Sequence, residues 1–174
     1  MNRPHSRQIL SVEEAFGQNG WHTELIDGRD VLRAGFDAHH TRISMIAQAY
    51  PQLNALSIVA ESMLQLNKTH MPIFYELLAR ANKQLTLGGF EYDLDRQFIV
   101  FRIANLFERE KFDAHIISSM VHCAIAELDR LIPYAATVRN TPEDLLADMD
   151  VKRLLEREDL LPPVPGESLE EEEY

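Results

Sequence analysis

The sequence predicts an α+β fold: a helix, a three-stranded antiparallel meander, a second helix, a β-hairpin, a long third helix, and an added C-terminal helix. Three observations carry that expectation. Apolar residues recur at helical spacing in separate stretches. Between those stretches they alternate and are rich in β-branched and aromatic types. The early strands are joined by connections too short for parallel crossovers, so they pair antiparallel.

The elements follow in chain order. Ile9, Val12 and Phe16 give an amphipathic helix over about 8–18, and Asn19-Gly20 stops it because both residues tolerate left-handed φ. Ser11 with Glu14 offers a capping box for a later start. Residues 21–26 are ambiguous and fit an extra edge strand. Strands are predicted over 31–38, 42–50 and 55–62. Leu32, Ala34, Phe36 and Ala38 share one face of the first; Ile43, Met45, Ala47 and Ala49 share one face of the second. His39-His40 and Pro51-Gln52-Leu53-Asn54 mark the turns between them.

Thr69 reads as a helix cap, with Pro72 in the first turn where its missing N–H is harmless. That helix runs to about Leu85 and buries Ile73, Leu77, Leu78 and Ala81. Gly88-Gly89 opens a hairpin. Phe90, Tyr92 and Leu94 alternate with acids, Asp95-Arg96-Gln97 turns the chain, and the return strand over 98–104 is apolar on both faces. Such a strand is central or covered by a second body. The best helical seam, over 113–132, uses Ile117, Val121, Ala124, Leu128 and Leu131, and Pro133 is expected to end it. Thr141-Pro142-Glu143-Asp144 starts a last helix to about Glu158. Prolines at 162, 163 and 165 and a glutamate-rich end are expected to stay disordered. The expected organisation is a domain over 1–135, a helical extension over 136–160 and an acidic tail over 161–174.

The composition limits function. The net charge is −11, and five of the acids lie between Glu167 and Glu173. No run of lysine and arginine supplies a nucleic-acid footprint, and acidity disfavours anionic membrane surfaces. No apolar stretch is long enough to span a bilayer, and the first residues lack the apolar core of a secretory signal. Cys123 is the single cysteine, which fits a reducing compartment and a cytoplasmic location.

No motif of the common metal, phosphate-loop or hydrolase types is present. Neighbouring His39 and His40 point to opposite faces of an extended chain and do not converge on one ion. His115 and His122 lie about two helical turns apart, roughly 10 Å along the axis. Asp93-Leu94-Asp95 resembles the opening of a calcium loop but lacks its glycine and distal glutamate. Cys123, amid apolar neighbours, reads as a structural thiol. No catalytic residue, cofactor or metal is therefore assigned.

One stretch carries a family resemblance. Arg80-Ala81-Asn82, then Leu87-Gly88-Gly89-Phe90-Glu91-Tyr92-Asp93, then Phe98-Ile99-Val100-Phe101-Arg102 resembles the YbjN domain family, as does a long helix ending near Asp129 and Pro133. The resemblance covers roughly residues 8–135. It implies a fold similar to type III secretion chaperones and a bacterial cytosolic protein, sometimes described as a regulator of sensory transduction, with no established catalytic residues. Secretion chaperones of that fold are acidic dimers that bind client proteins.

The expected activity is binding of a protein partner, with a homodimer and no nucleic acid or membrane. The candidate interaction surface is Phe90, Tyr92, Phe98, Val100 and Arg102, on the two-sided hairpin. The alternative is a small-ligand protein or enzyme with a pocket between sheet and helices, using Arg102, His115 or Glu91.

Overall fold

Alternation along the strands places one apolar row of each on the same side, and three amphipathic helices need that side covered. The computed structural model, which describes residues 4–161, satisfies both needs with one six-stranded sheet. The elements are α1 (Arg7–Gln18), β1 (Thr23–Leu25), β2 (Val31–Asp37), β3 (Arg42–Tyr50), β4 (Ala55–Met63), α2 (Met71–Gln84), β5 (Gly89–Asp93), β6 (Phe98–Leu106), α3 (Ala114–Asn140) and α4 (Val151–Leu155). The strand order is β1-β2-β3-β4-β6-β5, and every pairing is antiparallel. The ambiguous stretch after Trp21 does contribute an edge strand, β1.

Helices cover one face only. Ile9, Val12 and Phe16 of α1, Phe74 and Leu77 of α2, and Ile117, Val121 and Leu128 of α3 share one core with Ile43, Met45, Ile58, Ile99 and Phe101 of the sheet. The opposite, outer face carries Ile46, Val59, Glu61, Phe98, Val100 and Arg102, as the cross-strand register dictates.

Several boundaries differ from the sequence-based expectation, each for a local reason. Ser6, not Ser11, caps α1 by accepting from the Ile9 N–H at 3.2 Å. Ser11 instead lies buried, donating to the Gln8 carbonyl and accepting from the Phe112 N–H. Thr69 does not cap α2. A short 3-10 turn (Lys68–His70) precedes that helix, and the Thr69 hydroxyl donates to Glu143 at 3.0 Å.

Pro133 does not end α3, which continues to Asn140. An interior proline costs about 3 kcal/mol because a helical hydrogen bond is lost. Beyond it, however, Tyr134, Ala135 and Val138 are buried in the core. Large buried side chains contribute about 1.5–3 kcal/mol each, enough to offset the proline. α3 therefore runs across the boundary expected between residues 135 and 136, where the extension was to begin.

The extension is not one helix. It comprises a 3-10 helix (Glu143–Asp148), α4, and a 3-10 turn (Glu158–Leu160). Asp150 sits in an extended conformation and its carboxylate accepts from the Arg153 N–H, which starts α4 afresh. Val151 and Leu154 enter the core on the helical side, against α2. His70 Nε2, 2.8 Å from the Thr141 carbonyl, ties the extension to the start of α2. The extension therefore leaves the outer face of the sheet uncovered. The acidic tail expected to be disordered begins at Leu161, and residues 162–174 lie outside the described residues.

Candidate functional site

Hairpin register decides which expected surface residues meet. Glu91 pairs with Val100 and Asp93 with Phe98, while Phe90 pairs with Phe101 and Tyr92 with Ile99. Phe98, Val100 and Arg102 therefore share the outer face. Phe90 and Tyr92 point to the helices, with Phe90 only 5 % exposed and Tyr92 stacked edge-on against Phe74. The expected patch of Phe90, Tyr92, Phe98, Val100 and Arg102 is thus divided between two faces.

Val100 is not an exposed apolar group either. It is 6 % exposed, although it lies outside the core cluster. Two ion pairs flank it. Arg102 donates to both oxygens of Glu91 at 2.9 and 3.2 Å. Arg96 donates to both oxygens of Glu61 at 2.7 and 3.2 Å and lies over the Phe98 ring. The Glu61 hydrogen bond, with its charge, raises the Arg96 pKa above its ordinary value. A bidentate guanidinium holds both lone-pair edges of a carboxylate, so these pairs roof this part of the face.

The stretch that carries the family resemblance has structural work to do. The Asn82 side chain reads the main chain of Phe90 in both directions, accepting from its N–H at 2.6 Å and donating to its carbonyl at 3.0 Å. It behaves as a one-residue strand against the edge of β5. Gly88 adopts φ +74°, and a Cβ there would sit 2.6 Å from the Phe101 ring and 2.7 Å from the Arg102 carbonyl. Asp129, nearly buried in α3, accepts from the His40 N–H at 2.7 Å and lies 3.0 Å from His40 Nδ1, which pins the β2–β3 turn. His39 packs edge-on to His40.

Groups with chemical potential are dispersed. Among the described residues no three His, Cys, Asp or Glu side chains gather to hold a metal ion. His122 packs edge-on to Trp21. Burial, with the Glu127 charge, pushes the Cys123 thiol up, away from the reactive thiolate. Burial also raises the Tyr92 hydroxyl, which donates to the Leu64 carbonyl. Arg102 and Glu91 bond to each other on the outer face, whereas His115 lies on the helical side; the three do not converge.

What does gather is exposed apolar surface at the end of β6. Leu106 is 73 % exposed, Leu87 63 % and Ile116 42 %. Exposed Tyr50 lies two strands from Leu106 in the register Tyr50–Ala55–Leu106, and exposed Leu53 sits in the turn between β3 and β4. Between α3 and this end of β6 lies a cavity of about 310 Å³, lined by Leu87, Ile103, Ile116, Met120 and Cys123 with Asn105, His115 and Ser119. A wider groove continues from Leu106 and Ile116 to α1. On the return strand, pairing with β5 stops at Arg102, so the unpaired edge lies beyond Arg102 and not at Val100.

No family model, curated protein or solved structure matches the chain. Among the described residues no helix is long and apolar enough to cross a membrane.

Proposed function

We propose that this chain is a non-catalytic binding protein that holds a partner protein at the open end of its sheet. The observation that carries this reading is the exposed Leu87, Leu106 and Ile116 around the end of β6, where Ile116 lines both the cavity and the neighbouring groove. Contiguous exposed apolar surface tends to mark an interface. The resemblance to YbjN domains points to the same class of activity and to a cytoplasmic role. Capture from native lysate with mass spectrometry tests the reading. A protein retained by the wild-type chain and lost by the Leu87→Asp, Leu106→Asp double variant supports it; identical sets retained by both sink it.

We extend the proposal to a homodimer, the state that the resemblance implies; symmetric pairing is the commonest oligomeric arrangement. Light scattering is expected to return twice the 20.0 kDa chain mass, and a single-chain mass overturns the dimer. A second reading, a small-ligand protein, draws on the cavity of about 310 Å³. Ligand sites start at roughly 300 Å³. A thermal-shift gain with a small uncharged molecule, and none with peptide, favours it.

A further inference from the structure

We propose that the second half of β6, from Ile103 to Leu106, accepts an extended peptide as an added strand, and that one uncharged apolar side chain of that peptide fills the cavity under α3. The inference rests on the protein-binding reading above and names its mode.

The direction of the main-chain groups comes from two hydrogen bonds. The Gln97 carbonyl accepts from Leu64, and the Phe107 N–H donates to Asn54, both on the β4 side. Main-chain groups alternate along a strand, so Phe98, Val100, Arg102, Ala104 and Leu106 direct theirs to the opposite edge. There β5 serves the first three, through Asp93, Glu91 and Gly89. It begins at Gly89 and goes no further. Gly88, packed against Phe101 and the Arg102 carbonyl, carries the chain away towards α2. Among the described residues, no main-chain or side-chain group bonds the free edge of Ala104 or Leu106. Both residues are solvent-exposed. Unpaired donors and acceptors in this geometry template a further strand.

The other edges are less available. The Asn82 amide already occupies the outer edge of β5 at Phe90. β1, at the far side of the sheet, is three residues long.

Strand periodicity then sets the side chain. A residue opposite Asn105 points, like Asn105 and Ile103, to the helical face, where the cavity lies. The cavity is lined by no lysine, arginine, aspartate or glutamate. Burying an unpaired charge there is costly, so the charge complement is a neutral apolar side chain. Its neighbours on the added strand emerge on the outer face, beside Leu106.

The test is amide NMR and hydrogen exchange on the full chain. The probe is an uncharged, end-blocked heptapeptide with leucine at its centre and threonines flanking it. A control peptide has the same side chains but N-methylated main-chain amides. Wild-type chain with the probe is expected to shift the Ala104 and Leu106 amides and slow their exchange about tenfold. Ala104→Pro, which removes the unpaired donor, and Ser119→Trp, which fills the cavity, are each expected to abolish the shift. Circular dichroism confirms that both variants are folded, and Ser119→Trp serves if the proline does not fold. Equal binding of the N-methylated peptide overturns strand addition but leaves protein binding at this end standing. No shift at millimolar probe overturns the proposal outright. Ala104 and Leu106 amides already protected in the free chain also overturn it. Protection in the free chain that is lost on dilution, or on deletion of 162–174, assigns the edge to a second copy or to the chain's own end and overturns the separate peptide.

Discussion

From Phe98 to Arg102, strand β6 is closed on both edges; from Ile103 to Leu106 it is closed on one. Both halves pair with β4 throughout. The first half adds β5, the Asn82 clamp behind β5, and the two arginine–carboxylate pairs above it. The second half adds none of these, and its neighbours Leu87, Leu106 and Ile116 face solvent. In sequence alone nothing at Arg102 divides the strand expected over 98–104, which is apolar on both faces. The difference lies in where β5 begins. A strand becomes a binding edge by losing its neighbour, not by changing its own composition.

The sharpest way to break the contrast is at the residue that ends β5. Gly88→Ala must place a Cβ 2.6 Å from the Phe101 ring and 2.7 Å from the Arg102 carbonyl, at φ +74°. Neither the carbonyl nor the buried ring yields easily. Strain and overpacking together are expected to cost about 3–4 kcal/mol. Urea denaturation measures the loss. A change below about 1 kcal/mol would mean that β5 can restart elsewhere and that the open half is not defined by this turn.

Next in size is Arg96→Ala. It leaves the Glu61 carboxylate, 3 % exposed, without its bidentate partner. A fully buried pair broken in this way costs about 3–5 kcal/mol, and half-exposure of Arg96 reduces that to roughly 2 kcal/mol. Glu61→Gln together with Arg96→Ala is expected to recover part of the loss, because the orphaned charge is gone. Full loss in the double variant would assign the effect to packing of Arg96 on Phe98 instead.

Asn82→Ala follows, at about 1–1.5 kcal/mol, since it strands one donor and one acceptor of Phe90 near the surface, where water replaces part of the loss. Its signature is local. Exchange of the Phe90 amide speeds up while Ala104 and Leu106 do not change. It also opens a second edge, so probe binding at Phe90 in this variant would show that the side-chain amide, rather than strand length, protects β5.

Much of the frame was legible in the residues. Alternation located β2, β3 and β4 nearly to the residue, and apolar stripes located α1, α2 and most of α3. What was not legible depended on long-range burial or on turn geometry. Pro133 reads as a stop because local physics disfavours it, and only the burial of Tyr134 and Val138 carries α3 through. The hairpin register turns on Gln97, which adopts φ +58° with nothing in Asp95-Arg96-Gln97 to announce it. Without the register, Phe90 and Tyr92 cannot be separated from Phe98 and Val100. The open edge was hidden for a smaller reason. The expected strand ended at Ala104, and β6 ends at Leu106; those two further residues double the length of β6 that outruns β5. A usable signal was present: Gly88-Gly89 dates the start of β5, and the apolar Leu106 and Phe107 continue the strand pattern.

The smallest expected effect completes the contrast. Leu106 is 73 % exposed on the outer face, and its only cross-strand neighbour is Ala55. Little apolar area is removed from water there, so Leu106→Ser is expected to change stability by no more than about 0.5 kcal/mol. On the closed half the comparable change, Val100→Ser, removes a side chain only 6 % exposed, and about 1–2 kcal/mol is expected. Binding should rank the other way. Leu106→Ser removes an apolar contact beside the added strand and is expected to weaken the heptapeptide about threefold to tenfold, the effect of roughly one exposed-edge apolar contact. Val100→Ser should leave the peptide affinity unchanged, because β5 and the two ion pairs already enclose it. Chemical denaturation and a peptide titration on the same two variants read both orders. If Leu106→Ser destabilises the fold as much as Val100→Ser does, Leu106 is part of the fold's own packing and the open half is not a surface reserved for a partner.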